Sequence, residues 1–263
     1  MARRDLRNKR VLLTGASAGI GWELAQQLAQ KGTRLLLTAR RQHKLEELRE
    51  KIHKTHPKIE VEILAGDITD VQLREQLADY CRQAWKGLDL LINNAGVGSL
   101  GTFEDSNPET LREVMEVNFF APVELIRVCL PLLKLGTQPL IANISSVLGH
   151  RAVPFKTEYC ASKFAIHGFS DALRAELAEQ SIDLTLISPS TTDSEFFENA
   201  VADNTDRNWK GKKAMPPEKV ASATVKAVEK GTHEVILTLG GKTLVLMDRL
   251  APTLTDLAVQ RWG

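Results

Sequence analysis

Two residues of the segment YCASK carry groups that could transfer a proton. Tyr159 and Lys163 are four residues apart, so they share a face if the segment is helical. A free tyrosine titrates near ~10, and an adjacent ammonium stabilises the phenolate and lowers that pKa. Such a tyrosine is suited to exchange protons nearer neutral pH. The same spacing is also typical of a solvated helix edge, so the pair alone does not establish a reaction centre.

A second group of candidate residues lies in the glycine-rich segment TGASAGIG, which follows the apolar run RVLLT. Gly15, Gly19 and Gly21 are spaced for a tight turn that opens a helix and lets backbone approach a ligand. Exposed N–H groups at such a helix end favour an anion such as pyrophosphate. A flexible strand-to-helix turn is the plainer interpretation, but the complete strand, loop and helix pattern favours dinucleotide binding. The candidate contacts in this loop are Gly15, Ser17, Ala18, Gly19, Ile20 and Gly21.

The end of the second apolar run indicates which dinucleotide would bind. An NAD site commonly has an acidic residue there for the ribose hydroxyls, whereas this chain reads TARR. Ala39 leaves space, and Arg40 can form a bidentate contact with a 2′-phosphate, with Arg41 beside it. The two arginines could instead only solvate the end of a loop. We predict that NADP(H) is preferred over NAD(H).

Two further segments follow apolar runs and are candidate cofactor contacts. Asp67 and Ile68 follow the third run in AGDITD, where an adenine ring would lie, and Asn94, Ala95 and Gly96 follow the fourth in NNAG. Asparagine is often only a turn residue. Ligands nevertheless bind at the carboxyl ends of the strands in open α/β sheets, so both segments are included.

These segments need a framework of alternating strands and helices to position them. Seven short apolar runs are predicted as strands, at 10–14, 34–39, 59–65, 88–93, 139–145, 182–188 and 234–238. Helical patterns separate them, and Asn107 and Pro108 are predicted to begin a long helix toward Leu135. We predict an α/β fold with one Rossmann-like domain over 1–263. Its doubly wound parallel sheet would have about seven strands and helices on both faces.

One long segment lacks a clear period. Residues 190–215 are about 26 residues with no strong pattern, and such a stretch inside a compact domain is usually functional or mobile. It is therefore the candidate substrate lid. Phe196, Phe197 and Trp209 supply apolar area there, and 149–155 is the other expected wall. This composition favours an apolar alcohol or ketone as the substrate.

Taken in order, the motifs TGASAGIG, NNAG, MEVNFFAP, NISS and YCASK resemble those of the short-chain dehydrogenase/reductase family, in its compact branch. They match in spacing and run through about three-quarters of the chain. The resemblance implies that Tyr159 is the general acid/base and that Lys163 activates it and contacts the cofactor ribose. It implies that Asn118 supports a water-linked proton relay. The family's serine lies thirteen residues before its tyrosine, which selects Ser146 over Ser145 as the residue that orients the substrate oxygen.

The resemblance also implies direct hydride transfer between a nicotinamide and the substrate carbon, with no metal. One region departs from the family pattern. Pro189 is kept after the sixth predicted strand, but Ser190 stands where the family commonly has glycine. Ser194 stands where the family has a threonine that contacts the nicotinamide amide. Serine can form a similar hydrogen bond, so Pro189 and Ser194 are included among the expected cofactor contacts.

Charge and cysteine content exclude several classes of protein. Lys plus Arg (34) nearly balances Asp plus Glu (33), so no broad basic field for nucleic acid is expected. The basic cluster 207–213 could meet an acidic group on a substrate, although a solvated charge run is the plainer interpretation. Three separated cysteines fit a reducing compartment, and Cys160 is interpreted as a small buried hydrophobe rather than a redox sensor. We expect a cytoplasmic protein, because no apolar run suits a signal peptide or a transmembrane segment.

The C-terminal segment 241–263 places four apolar side chains on roughly one helical face, namely Met247, Leu250, Leu254 and Leu257. We expect this face to pack against the domain or a second subunit, with attachment to a lipid surface as the weaker alternative. The family resemblance favours a homodimer or homotetramer built from the helices that contain Asn118 and Tyr159.

Two functional classes remain open. The first is an NAD(P)-dependent oxidoreductase that transfers hydride between NADP(H) and a carbonyl or alcohol group of a small, apolar substrate. The second is a catalytically silent NADP-binding regulator on the same scaffold. The presence of Asn118, Ser146, Tyr159 and Lys163 together favours the enzyme, because a pure binder does not need an acid/base pair. An epimerase or dehydratase of the family's longer branch conflicts with the compact length.

Overall fold

The computed structural model describes residues 3–193, 196, 200–203 and 214–260. Its strands, in chain order, are β1 Arg10–Thr14, β2 Arg34–Ala39, β3 Val61–Ala65, β4 Leu90–Asn93, β5 Ser99–Leu100, β6 Leu140–Ile144, β7 Asp183–Ser188, β8 Ala202–Asp203 and β9 Glu234–Ile236. Each of the seven predicted strands is present, and several are one or two residues shorter than predicted, as is usual for element ends. The short strands β5 and β8 were not predicted, and they pair with each other.

The helices within the described residues are α1 Gly19–Gln30, α2 Gln42–Thr55, α3 Val71–Tyr80, α4 Pro108–Met115, α5 Ala121–Leu133, α6 Thr157–Ala178, α7 Pro217–Lys230, α8 Leu239–Leu250 and α9 Pro252–Gln260. The predicted start at Asn107 is confirmed, because its Oδ1 accepts a hydrogen bond from Glu109 N at 3.0 Å and Pro108 follows it. The predicted long helix is interrupted, since α4 and α5 are joined by a π-helical turn over Glu116–Phe120.

The seven long strands form one parallel sheet in the order β3-β2-β1-β4-β6-β7-β9. The chain runs outward from β1 to β3 and then crosses to β4 on the other side of β1. Strand order therefore reverses between β1 and β4, and in such sheets a crevice for a ligand opens at the carboxyl ends of the strands there. The predicted doubly wound α/β fold is confirmed.

Helices cover both faces of the sheet and build two apolar layers. Because successive side chains of a strand point to opposite faces, Val11 and Leu13 contact one layer and Leu12 contacts the other. The first layer includes Leu24, Leu28, Leu45, Leu48, Val225 and Val228. The second includes Leu73, Leu77, Leu125, Ile126, Cys129 and Leu177. With both faces covered, polar chemistry is confined to the strand ends.

The C-terminal segment forms two helices rather than one. The residue before a proline disfavours the α-helical conformation, so α8 ends at Leu250 with Ala251 as its C-cap, and α9 begins at Pro252. The predicted apolar face is not packed against the domain in the described chain. Its four members are exposed, with Met247 at 45 %, Leu250 at 76 %, Leu254 at 64 % and Leu257 at 55 %. The buried side of these helices consists instead of Gly241, Val245, Thr255 and Val259. Contact of the apolar face with a second subunit stays a prediction.

Cys81, Cys129 and Cys160 are free and buried. Burial raises the pKa of the Cys81 thiol to about 12. It also raises the pKa values of the Cys129 and Cys160 thiols above the usual value for cysteine. All three therefore stay protonated at neutral pH, and Cys160 behaves as the small buried hydrophobe that was predicted. Among the helices of the described chain, none combines the length and the apolar character needed to cross a membrane.

Candidate active site

A cavity of about 630 Å³ opens at the carboxyl ends of the parallel strands. At one end, which we call the glycine end, it is lined by Gly15, Ser17, Ala18, Gly19 and Ile20 of the loop after β1 and by Arg40, Arg41, Asp67 and Ile68 after β2 and β3. At the other, which we call the tyrosine end, it is lined by Ser146, Tyr159 and Lys163 with apolar neighbours. Asn94, Ala95, Gly96 and Pro189 also line the cavity. Most of the predicted site residues are thus brought to one place, although Gly21 and Asn118 do not line the cavity.

Two glycines are required by the loop after β1. Gly15 has φ +67°, a left-handed conformation that favours glycine. Gly21 does not line the cavity, and its role is packing. A Cβ at Gly21 would collide with the carbonyl oxygen of Gly15 and lie 2.5 Å from Asn94 Nδ2. The Asn94 side chain in turn donates to Thr14 O at 3.0 Å and to Gly15 O at 3.1 Å, so it fixes the loop.

The N-terminus of α1 fits a diphosphate. Its N-cap residue is Ala18, and no side chain of the described residues caps the helix. The first turn, GIG, contains no acidic residue, and Gly19 and Ile20 line the cavity. Unsatisfied N–H groups and the positive end of the helix dipole therefore face the space where an anion would bind.

The arginines at the glycine end are held differently from each other. Arg41 donates from Nε and Nη2 to Ser17 Oγ, both at 3.3 Å, so its guanidinium is tied to the glycine loop. Arg40 is exposed at the cavity rim. Asp67 accepts from Thr69 N at 2.9 Å and Thr69 Oγ1 at 2.8 Å, which shapes the turn after β3. Both arginines therefore line the glycine end of the cavity.

Tyr159 lies on α6 and is buried, with its ring edge-to-face against Phe196 at a centroid distance of 5.7 Å. Burial raises its pKa well above the usual value, and a hydrogen bond with Ser146 lowers it by a smaller amount. The predicted lowering of this pKa by Lys163 is therefore wrong for the protein as it stands. Loss of hydration around the phenolate outweighs the stabilising groups nearby. At neutral pH Tyr159 is a protonated phenol.

Lys163 lies one turn further along α6, and its Nζ is 5.6 Å from the centre of the Tyr159 ring. The ammonium donates to Ile144 O at 3.1 Å. Burial lowers its pKa to about 8. Gly96 lies beside both groups: a Cβ there would be in ordinary contact with Lys163 Nζ at 3.8 Å but tight against Asn118 Oδ1 at 3.1 Å.

The two serines after β6 differ in their hydrogen bonds. Ser146 lines the cavity and forms the hydrogen bond with Tyr159, while its Oγ also accepts from Leu148 N at 3.1 Å. Ser145 also lines the cavity, but its Oγ is buried and has no hydrogen-bond partner within the described part of the chain. Ser146 is therefore the serine positioned to meet a substrate oxygen near the phenol.

Asn118 lies in the π-helical turn between α4 and α5, a feature often found at functional sites. Its side chain accepts from Val97 N and donates to Val97 O and Ser162 Oγ, each at 2.9 Å. Ser162 Oγ donates onward to Tyr159 O at 2.8 Å. The amide thus links the loop after β4 to α6, and the side chain itself does not line the cavity.

The candidate lid at 190–215 is partly described. Thr192 and Met215 form an isolated parallel bridge, and Met215 N donates to Thr191 O at 2.9 Å. The β5–β8 pair ties a second point of the segment to the body of the protein. Phe196 lines the cavity as predicted. Ser194, Phe197, Trp209 and the basic cluster 207–213 lie outside the described residues.

Several cavity residues were not predicted. Lys156 lines the tyrosine end, and burial lowers its pKa. Gly240, Gly241 and Leu244 reach the same end from the first turns of α8. The signal that could have found them is positional, since α8 follows the last parallel strand and the carboxyl ends of such strands line the ligand crevice. Of the predicted wall 149–155, Val153 lines the cavity.

The profile of the family described as short chain dehydrogenase matches residues 9–205. The chain belongs to the short-chain dehydrogenase/reductase family. Among its relatives, dehydrogenase/reductase SDR family member 7B of Mus musculus is 36 % identical over 245 residues, which cover 89 % of this chain and 74 % of the relative. Dehydrogenase/reductase SDR family protein 7-like of Anopheles gambiae is 32 % identical over 258 residues, which cover 95 % and 81 %. This short-chain dehydrogenase/reductase is therefore similar to members of its family over nearly its whole length.

Solved structures of the family share the fold of this short-chain dehydrogenase/reductase. A short-chain dehydrogenase/reductase from Burkholderia phymatum in complex with NAD superposes with a TM-score of 0.85 at 23 % identity, covering 95 % of this chain and 96 % of that one. An alcohol dehydrogenase from Thermococcus sibiricus complexed with 5-hydroxy-NADP superposes with a TM-score of 0.78 at 24 % identity, covering 88 % and 96 %. One of these proteins binds NAD and the other an NADP derivative. The family is one of NAD(P)-dependent oxidoreductases that act on alcohol and carbonyl groups.

Proposed function

We propose that this chain is an NADP(H)-dependent reductase of carbonyl groups, or dehydrogenase of the corresponding alcohols, with Tyr159 as the proton donor and acceptor. The observation that carries the proposal is the hydrogen-bonded pair of Tyr159 and Ser146 in the cavity, with the Lys163 ammonium beside the phenol ring. Phenol, hydroxyl and ammonium converge where a substrate oxygen could be held. No step of this arrangement needs a metal.

The proton steps follow from the state of Tyr159. In reduction, Tyr159 Oη donates its proton to the substrate oxygen, and Ser146 Oγ orients that oxygen by a hydrogen bond. Because burial raises the pKa of Tyr159, the donor is fully protonated at neutral pH. Oxidation of an alcohol needs the phenolate instead, so it is favoured at higher pH. When bound, the nicotinamide supplies or accepts the hydride at the substrate carbon.

The cofactor preference rests on the end of β2. Ala39 occupies the position where an acidic residue would contact the ribose hydroxyls of NAD, and Arg40 and Arg41 follow it along the cavity. A guanidinium gives a 2′-phosphate paired, charge-assisted hydrogen bonds. Arg41 is already oriented by Ser17, which limits the entropy lost on binding. We therefore favour NADP(H) over NAD(H).

The substrate's carbon skeleton is proposed to be apolar. Leu148, Val153, Phe196 and Leu244 line the tyrosine end and present hydrocarbon and aromatic surface. Lys156 adds one ammonium group to this wall, which suits a substrate with an additional hydrogen-bond acceptor away from the reacting carbon. An apolar ketone, aldehyde or quinone fits this combination.

The test is oxidation of NADPH over a panel of apolar aldehydes, ketones and quinones by wild type and Tyr159→Phe. The variant keeps the ring and its contact with Phe196 but cannot transfer a proton. We expect turnover to fall by about 10²–10⁴-fold, with NADPH binding retained. Equal turnover of the two proteins on every active substrate would overturn the assignment of Tyr159.

The second candidate is a regulator that binds NADP without turning it over. It predicts NADPH binding by both wild type and Tyr159→Phe with no substrate-dependent oxidation by either. The burial of an acid/base pair at the cavity argues against it, because a binder gains nothing from a buried ammonium that titrates near 8. Assembly as a dimer or tetramer and a cytoplasmic location stay predictions.

A further inference from the structure

Three side chains suited to binding a metal ion meet outside the cavity described above. His150 follows the short 3₁₀ helix Val147–Gly149, His167 lies on α6 and Glu234 begins β9. One ligand atom from each lies within 4.8 Å of the others. The three residues are far apart in sequence, so no spacing motif announces the cluster.

The contacts within the cluster leave metal-binding capacity unused. His150 Nε2 lies 2.7 Å from Glu234 Oε1, and the two imidazole rings are perpendicular with centroids 4.3 Å apart. Ser188 Oγ donates to the same carboxylate oxygen at 3.3 Å. His167 Nε2 lies 3.3 Å from Asp171 Oδ2. His167 Nδ1 is buried and has no hydrogen-bond partner within the described chain, which is an unusual state for a buried nitrogen.

The cluster is open to an ion from solvent. A second cavity of about 280 Å³ is lined by His150 and His167 and also by Phe164, Asp248 and Arg249. It leaves space for water to complete the coordination of an ion held by three protein ligands. Arg249 opposes a cation here, and the carboxylate of Asp248 is paired with Arg151 at 2.8 Å, so the negative charge for the ion must come from Glu234.

We propose that His150, His167 and Glu234 bind one divalent transition-metal ion of the zinc type. Two imidazole nitrogens and one carboxylate with an open position form a donor set that suits zinc. Calcium and magnesium are disfavoured because they prefer oxygen ligands. The 4.8 Å spread must contract on binding, which small side-chain rotations can provide.

Such an ion would act on the site already described without touching the reacting atoms. His150 is four residues after Ser146, and His167 is four residues after Lys163. A metal shared by both histidines and β9 would hold the serine segment, α6 and the sheet edge together. Its expected effect is therefore greater stability of the catalytic arrangement.

The test is titration of the chelator-treated full chain with Zn²⁺ by calorimetry, with cobalt as a spectroscopic probe. We expect one Zn²⁺ per chain and a rise in Tm with added Zn²⁺. His167→Gln and Glu234→Gln should each weaken binding by more than about tenfold and remove the rise in Tm. His233→Ala is the matched control, because this exposed histidine is adjacent to Glu234 but outside the cluster, and its variant should bind as wild type does.

The absorption spectrum of bound Co²⁺ distinguishes this site from binding elsewhere on the protein. It is measured on the wild type, so it remains informative if a variant does not fold. Co²⁺ on wild type should give the strong visible bands of a low-coordinate site with nitrogen and oxygen ligands. A thiolate-to-metal band would assign the metal to a cysteine and overturn the proposal. Absence of binding, or Zn²⁺ binding that is unchanged in His167→Gln and Glu234→Gln, would indicate an adventitious ion only and overturn it as well.

Discussion

At the glycine end of the cavity, the loop after β1 presents mainly backbone, with arginine side chains beside it, whereas the tyrosine end is lined by side chains from distant segments. At the glycine end, Gly15 and Gly21 are fixed by close approach to the loop after β4, and Asn94 ties the two loops together. At the tyrosine end, Leu148, Phe196 and Leu244 come from three separate parts of the chain.

This difference separates two tasks. A diphosphate is recognised by N–H groups and a helix end, which any sequence with the right glycines can provide. A substrate and its proton transfer need chosen side chains, and those can change without disturbing the loop. We therefore expect substitutions at the glycine end to act on folding and cofactor affinity together. Substitutions at the tyrosine end should act on turnover.

After the loss expected for Tyr159→Phe, the largest effect is expected for Ser146→Ala. It removes the hydroxyl that hydrogen-bonds to Tyr159 and would hold the substrate oxygen. Loss of one such donor typically lowers kcat by about 10²–10³-fold. Steady-state kinetics with NADPH and the best substrate of the panel would measure it, with affinity for NADPH measured in parallel and expected to stay the same.

Ser145→Ala is the matched control for that measurement. Ser145 Oγ is buried without a hydrogen-bond partner in the described residues, so its removal relieves an unsatisfied polar atom. We expect turnover within a few-fold of wild type and an equal or higher Tm. A loss of turnover as large as that of Ser146→Ala would show that the neighbouring serine had been misassigned.

The next largest effect is expected for Lys163→Met. This substitution should lower turnover but raise the free energy of unfolding at neutral pH. Burial lowers the pKa of Lys163 from 10.5 to about 8. The unfolded chain therefore binds this proton more tightly, and native stability rises with pH between about 8 and 10.5. Below pH 8 the buried ammonium costs about 3 kcal/mol, which the methionine would remove.

Chemical denaturation of both proteins over pH 7 to about 11 would test this sign. We expect the variant to be more stable at pH 7, the difference to shrink through the window and turnover to be largely lost. Taking the difference between the two proteins cancels the titration of Tyr159. A difference in stability that does not change with pH would mean that Lys163 is not the titrating group.

The residues of the site that could be predicted from the sequence are those in contiguous motifs, and those that could not are brought to the cavity by packing. The loop TGASAGIG and the pair Tyr159 and Lys163 are contiguous in sequence, so a motif identifies them. Lys156 and Leu244 line the cavity only because α6 and α8 begin beside it, which depends on how distant elements pack. The direction of the Tyr159 pKa shift was missed for the same reason, because burial is a property of the assembled fold.

The secondary structure shows which features can be predicted from the local sequence pattern alone. The apolar run 34–39 forms β2 with the predicted ends, because a strand covered on both faces is apolar throughout. The apolar face with Leu250 and Leu254 was expected to pack against the domain or a second subunit, and the structure shows that the described part of the domain does not cover it. Amphipathic spacing identifies a helix and its apolar side, but it does not identify the surface that covers that side.

A smaller effect, about 1–3 kcal/mol, is expected for Gly21→Ala, which tests the backbone wall. The added Cβ would collide with the Gly15 carbonyl oxygen, so the loop must move and both stability and NADPH affinity should fall. Gly168→Ala is the matched control. Gly168 is an exposed position within α6 where a Cβ meets nothing within 4 Å, so alanine should raise stability by about 0.8–1.0 kcal/mol. Equal Tm values for the two variants would contradict the steric account of the glycine end.

The smallest effect is expected for Arg41→Ala, and it tests whether a side chain adds selectivity to the backbone wall. The guanidinium is held by Ser17 and lines the cavity, so its loss should weaken NADPH by about tenfold, the lower range for a charged hydrogen bond near solvent. NADH affinity should not change, since NADH lacks the 2′-phosphate. Lys44→Ala removes one positive charge from α2 without touching the cavity and is the control for long-range electrostatics. Equal weakening of NADPH and NADH in Arg41→Ala would show that Arg41 only supports the glycine loop, and the preference for NADP would then depend on Arg40.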